Sequence, residues 1–503
     1  MLNCKFGVVT AAATITFAGI AEIVEFPSAG GDIASALDWG RETLPGIYDP
    51  AKFTATQTVT AGNDVEFGGL YIAGESKTVT FDMRDSVSGG SPRKIKMNGN
   101  ACVYNGSNGN IWFAIYILRG GFWDFGSYSV GINSKDRFDG PTGCSLTIDG
   151  GAVLVCGQLL GAATQAGRTA NIRVDGEGTV VTSGSFRVSN YNGYQNTATV
   201  ANGAKIVLTG TGEDVLAIDY GNGGGNSLIV TNGAGVIKQS GNKKITIGRQ
   251  GSDNRMAVES GSSVQIHGSV YFGHADSSNA NASMGNRIVV RGTDSSMSVT
   301  EGTMYHGNAN GVVALAGNSN NVVSVLNGGT VSCGRWHFYG HDNGIVISNA
   351  TMSLSGGIKC ETSQNCYLRL QGAHPSFAST ASASDLFQFK DGFKFYYDIP
   401  VDGYDGTVEW PFVASGVASL DDSVAVEVSG AEGALARMKA EGVYKKTIRL
   451  ARFAAGFEGG GGISDAMLAN WNVALPDGAT LCLDETDLIL ELKIKKGFVI
   501  SFR

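Results

Sequence analysis

Four short polar runs in this chain could do chemistry together. Arg249-Gln-Gly-Ser-Asp-Asn254, His274-Ala-Asp276, Asn308-Ala-Asn310 and His341-Asp342-Asn343 each follow an apolar segment that ends in Gly. If those segments are strands stacked in register, Arg249, His274, Asn308 and His341 form a column spaced by roughly 4.8 Å. Imidazoles and carboxylates so placed (His274, Asp276, His341, Asp342) could bind a metal, hold a saccharide or help cleave a polymer. The same residue types satisfy backbone groups at solvated turns, where Asn and Asp bond to their own chain. Both readings stand on the sequence, and no metal ligand set follows from it.

Aromatic residues make a second candidate. Trp112, Phe113, Tyr116, Phe122, Trp123, Phe125 and Tyr128 crowd one stretch, and Trp112 and Trp123 could stack on sugar rings. Alternation argues for a filled interior instead, since Trp112, Ala114, Tyr116 and Leu118 would share one face. Asp219, in Ala217-Ile218-Asp219-Tyr220-Gly221, stands where other repeats carry an apolar residue. A glycosidase needs two facing carboxylates, and a lyase needs a base beside a cation that neutralises a uronate. The chain has no Gly-x-Ser-x-Gly, His-Glu-x-x-His or phosphate-binding loop, so no catalytic residue is assigned and no cofactor is implied.

These residues must be positioned by the repeat that carries them. Between Cys144 and Phe377 one phrase recurs nine times: an alternating run, a turn pair such as Asn-Gly, a second run, a Gly corner and a third run. The turn positions Gly150, Gly176, Gly203, Gly233, Gly261, Gly292, Gly328, Ala350 and Gly372 are separated by 22 to 36 residues, about 28 on average. Three short strands plus corners fit that length, whereas a propeller blade needs roughly 40 residues or more. Period-two alternation places Val200, Ile206 and Leu208 inward and Thr199, Lys205 and Val207 outward. One coil cannot bury its apolar face alone, so coils must stack. The expected fold is all-β: a parallel β-helix of about 28 residues per coil, right-handed, with a small α+β cap.

The expected organisation is a leader over 1–21, a lead-in over 22–55, the β-helix over 56–394 and a capping domain over 395–503. Lys5 followed by the apolar run Phe6–Ala21 has the form of a secretory signal peptide. Toward the other end, Ala431–Glu441 before Gly442 reads as a helix, and Ser464 reads as the N-cap of a second. A hairpin is expected around Asp484–Asp487. With 73 Gly and only 9 Pro, the chain has many tight turns rather than disorder. Its net charge of −8 and the lack of a basic run in the sequence argue against nucleic acid. None of the eight Cys forms a Cys-x-x-Cys pair. Cys156 and Cys333 fit small buried corner residues, while Cys360 and Cys366 could pair in an oxidising compartment.

The phrase Val-x-Asn-Gly-Ala-x-Val with Gly-x-Val-x-Phe-Gly resembles the repeats of secreted bacterial β-helix proteins, including autotransporter passengers. The resemblance covers 144–377 well and 56–140 loosely. It implies a stalk displayed outside the cell, often adhesive. The last hundred residues do not offer the amphipathic strands of an export barrel, a departure from that pattern. A second resemblance, to pectate-lyase-like enzymes, implies a polysaccharide lyase or glycoside hydrolase on the flank of the helix. The leading expectation is a secreted or surface solenoid with a structural or adhesive role. Its partner would be a polysaccharide or the surface of a host or neighbouring cell, with no membrane span in the mature chain.

Overall fold

The computed structural model describes residues 24–46, 50–72, 77–84, 87–88, 91–98, 101–102, 114–132, 144–162, 169–189, 193–212, 214–221, 223–241, 244–274, 283–307, 318–404, 410–458 and 462–494. The expected leader, Trp112, Asp276 and Asn308 lie outside them. The chain winds into a parallel β-solenoid of about 11 turns, with about 29 residues per turn. One coil shows the plan. Ser227–Thr231 lies on the first face, Gly235–Lys238 on the second and Ile245–Arg249 on the third. Each strand pairs in parallel with its counterparts one coil before and after.

Alternation and register together build the core. On the first face Phe81, Leu118, Ile148, Val174 and Val200 sit directly above one another, and the column continues to Tyr397. On the second, Val181, Ile206, Val236, Val264 and Met297 do the same. All are essentially inaccessible to water, and each side chain so buried stabilises the stack by about 1.5–3 kcal/mol. Val200, Ile206 and Leu208 point inward as the sequence indicates, and Lys205 is exposed.

The first corner is a two-residue turn with both residues left-handed, as at Asn202 (φ 56°) and Gly203 (φ 80°), or Asn232 (φ 55°) and Gly233 (φ 73°). Glycine accepts that conformation without steric cost, and Asn tolerates it better than most residues do. Outside the corner, Asn232 Nδ2 donates to Asn202 Oδ1 (3.1 Å), and Asn202 Nδ2 donates to Asp175 Oδ1 (2.7 Å).

Parallel stacking already joins Val24–Phe26 to Ala51–Phe53 and reaches Ala451–Phe453. There the pattern changes. Lys445–Phe453 pairs antiparallel with Asp487–Lys493, which in turn pairs with Ala479–Asp484. Two helices accompany this end: α1, Ala431–Glu441, closed by left-handed Gly442, and α2, Asp465–Asn472, capped by Ser464 Oγ accepting from Met467 N (3.2 Å). Trp471 of α2 donates through Nε1 to Val424 O (2.9 Å), tying the helix to the last parallel coil. Among the described residues no helix is long and apolar enough to cross a membrane.

Candidate functional site

The third face carries a row of outward aromatic and cationic side chains. Its inward slots run Phe186, Leu216, Ile245, Val270, Met304, Trp336 and Ile358. One residue on, the outward slots hold Arg187, Ala217, Thr246, Tyr271, Tyr305, His337 and Lys359. Tyr271 and Tyr305 stack with ring centroids 4.8 Å apart, and Tyr305 meets His337 edge to face at 5.4 Å. Lys244 Nζ stands 4.8 Å from the Tyr271 ring centre. Tyr220 lies between the guanidiniums of Arg187 (4.0 Å) and Arg249 (4.7 Å). Such cation–ring pairs contribute about 0.5–1 kcal/mol at accessible positions. Ala217 and Thr246 are fully buried although they point outward. Thr246 Oγ1 donates to Asp214, which also holds Arg249 Nη1 at 3.4 Å.

The polar column expected at the next corner forms only in part. Arg249 and His274 are register partners. Phe272, His306 and Phe338 align, so the slot matching His274 on the Trp336 coil is Gly340, and His341 falls one residue past it. His341 pairs instead with Gln364 and bridges Ser319. His274 is 1% exposed and packs edge-on to Tyr271 at 5.5 Å. Asp342 is an exposed turn residue in the left-handed region, φ 53°. Trp123 is wholly buried in the second-face column between Ile95 and Leu154, its Nε1 donating to Gly120 O (2.9 Å). Its ring has no surface to offer a sugar; it fills the core. Tyr339 lies off the Tyr271–Tyr305 register, 6.4 Å from Tyr305.

What the sequence did not reveal is a second use of asparagine. At the corner leading back to the first face, Asn196, Asn226, Asn254, Asn286, Asn321 and Asn343 are all fully buried. Each Oδ1 from Asn226 on accepts from both the backbone N and the Nδ2 of the preceding member, at 2.8–3.1 Å. The column ends where Asn343 Nδ2 donates to Tyr339 O (2.6 Å) and Asn318 O (3.1 Å). Each member follows a left-handed residue: Gln195, Gly225, Asp253, Gly285, Asn320 or Asp342. That pair, a residue tolerant of positive φ followed by Asn just before an alternating run, is the signal that could have marked it.

Three ionisable groups are folded into this region. Asp219 (φ 68°) has no exposed surface; its carboxylate accepts from Gly221 N (3.3 Å), Gly223 N (3.2 Å) and Asn254 Nδ2 (3.3 Å). Burial raises its pKa to about 7, against those long hydrogen bonds. The carboxyl therefore organises a glycine loop and braces the asparagine column. His306 takes an inward slot between Phe272 and Phe338, with Nε2 against Asn321 O at 2.9 Å. Burial lowers its pKa to about 3. Lys238 occupies the inward slot that Leu208 and Ile266 fill in adjacent coils, donating to the carbonyls of Ser240 (3.0 Å), Gly241 and His267.

The cysteines Cys156, Cys333, Cys360 and Cys366 are buried thiols outside any disulfide. The pairing considered for Cys360 and Cys366 is therefore not formed. Burial pushes Cys156 up to about 11 and Cys360 to about 12, which leaves these thiols protonated and inert. Among the described residues no cluster of His, Cys, Asp and Glu could hold a metal ion. No protein-family model, curated protein or solved structure matches the chain.

Proposed function

We propose that this chain is a secreted or cell-surface β-solenoid with a structural and adhesive role, in the manner of autotransporter passengers, and that it holds a polysaccharide along one flank. The observation that carries this reading is the outward row of the third face. Aromatic rings or cations fill five of its seven slots, Arg187, Tyr271, Tyr305, His337 and Lys359, the last four on consecutive coils, with Ala217 and Thr246 in the other two. About 11 turns at roughly 4.8 Å each make a rod on the order of 50 Å long, stiffened by buried hydrogen bonds as well as by apolar packing. Side chains on its stacked strands are held at a fixed spacing, which suits them to a polymer with its own repeat. Asp219, the described carboxylate whose proton affinity burial raises most, is sealed from solvent, which favours holding over cleaving.

The test is retention of the purified protein on a panel of plant, algal and host glycans, with the supernatant assayed for new reducing or unsaturated ends. Retention without cleavage is expected. Cleavage would replace this reading with a lyase or hydrolase, and failure to bind any glycan would remove it. Fractionation of natively produced protein bears on localisation; an intact Met1 on a cytosolic product would count against export.

A further inference from the structure

We infer that the polymer held by the third face is an anionic polysaccharide, a uronate or sulfate chain lying along the solenoid axis. This rests on the adhesive reading above and narrows it to a ligand class. The first ground is charge. The chain as a whole is acidic, at −8, yet the outward row and its margin bring together Arg187, Lys244, Arg249 and Lys359. Arg249 is paired with Asp214, a carboxylate 3% exposed that Thr246 also engages. A cationic strip on an acidic body attracts an anion to it.

The second ground is geometry. Strict register repeats the row once per coil, roughly every 4.8 Å, close to the length of one pyranose in an extended chain. Because Tyr271 and Tyr305 stack on one another, they offer edges and hydroxyls outward rather than open faces. Edges and hydroxyls suit hydrogen bonding to ring substituents, while the cations meet carboxylates or sulfates. A nucleic acid carries a denser charge, which an acidic body bearing few clustered cations would repel.

The experiment measures binding of the full chain to a uronate oligosaccharide, a sulfated one and a neutral one of equal length, each at low and high salt. Variants are Lys244→Gln with Lys359→Gln, Tyr305→Ala, and a second-face control, Lys205→Gln, with melting temperatures checked for each. The expected result is salt-sensitive binding of an anionic chain, weakened about tenfold by the double variant, weakened also by Tyr305→Ala, and unchanged by the control. Equal affinity for the neutral chain, or indifference to the strip variants, would overturn this inference while leaving the adhesive reading in place. If no glycan binds, both fall. Displacement of the uronate by single-stranded DNA at equal charge would assign the strip to nucleic acid and overturn it as well.

Discussion

The coils between Asn196 and Asn343 close their inner corner with amides, and the coils from Cys366 onward close it with hydrocarbon. In the first region six buried asparagines bond in file. In the second, the equivalent slots before Tyr367, Lys394 and Ala425 hold Cys366, Phe393 and Val424. There Phe389, Phe393, Phe395 and Phe412 pack with centroids 4.9–6.2 Å apart. The left-handed residue before the slot continues from Asp342 in one region to Asn365 and Gly392 in the other, and is lost before Val424. At the Cys366 and Phe393 coils the backbone corner is thus kept while its filling changes. Amides specify register, because each bonds through directional donors and an acceptor to the matching amide of the next coil. Aromatic rings specify volume, and they occur where the stack approaches its C-terminal end.

The sharpest way to break this contrast is Asn254→Ala. It orphans the backbone N of Asn226, leaves Asn226 Nδ2 with Gly193 O as its remaining acceptor and strips Asp219 Oδ2 of its amide donor, while the backbone N at position 254 still reaches Asn286 Oδ1. A loss of about 5 kcal/mol is expected by denaturant unfolding, since each stranded polar group costs about 1–3 kcal/mol. Phe412→Ala, in the aromatic region, should cost about 4 kcal/mol through cavity formation. A negligible loss for Asn254→Ala would show that the amide column merely accompanies the fold.

Acid separates two groups that the amide region holds with opposite signs. The folded Asp219 carboxyl titrates near 7 and its unfolded counterpart near 3.8. The stability linked to its proton is therefore complete below about pH 4 and lost as pH rises through 7, on the order of 4 kcal/mol in total. His306 is depressed from 6.5 to about 3. Its contribution is present above 6.5 and is lost as pH falls through 3. Between about pH 4 and 6.5 the two slopes offset one another. Asp219→Asn should expose a stability that falls with acid, and His306→Phe one that rises with it, each by about 1.4 kcal/mol per pH unit. Parallel pH profiles for wild type and both variants would contradict the burial assigned to these groups.

Smaller effects test the backbone and the boundary. An added Cβ at Gly233 meets nothing within 4 Å, so Gly233→Val strains only the left-handed φ of 73°. About 1 kcal/mol is expected, measured as a lowered melting temperature. At the boundary itself, Cys366→Asn offers the column a seventh amide beside the Asn343 backbone. A change under about 1 kcal/mol is expected, with the thiol replaced by a hydrogen-bonding partner of similar reach. A large destabilisation would mean that the aromatic packing, rather than the absence of an amide, ends the column there.

The strands, the two-residue turns and the coil length were legible in the sequence because they depend on local rules: alternation for a half-buried strand, and positive φ at Asn-Gly. Val200, Ile206, Leu208 and Gly233 stand as that reasoning places them. The site was less legible. Asn202 and Asn226 look alike in the sequence, each beside a Gly or another turn residue, yet one ends exposed at an outer turn and the other dry inside a corner. His274 and Trp123 likewise carry polar or amphipathic groups that the chain alone does not assign to inside or outside. Only the stacking of coils decided it. Burial at a corner depends on which residue of the next coil arrives there, and a slip of one position, as at His341, moves a side chain out of the column.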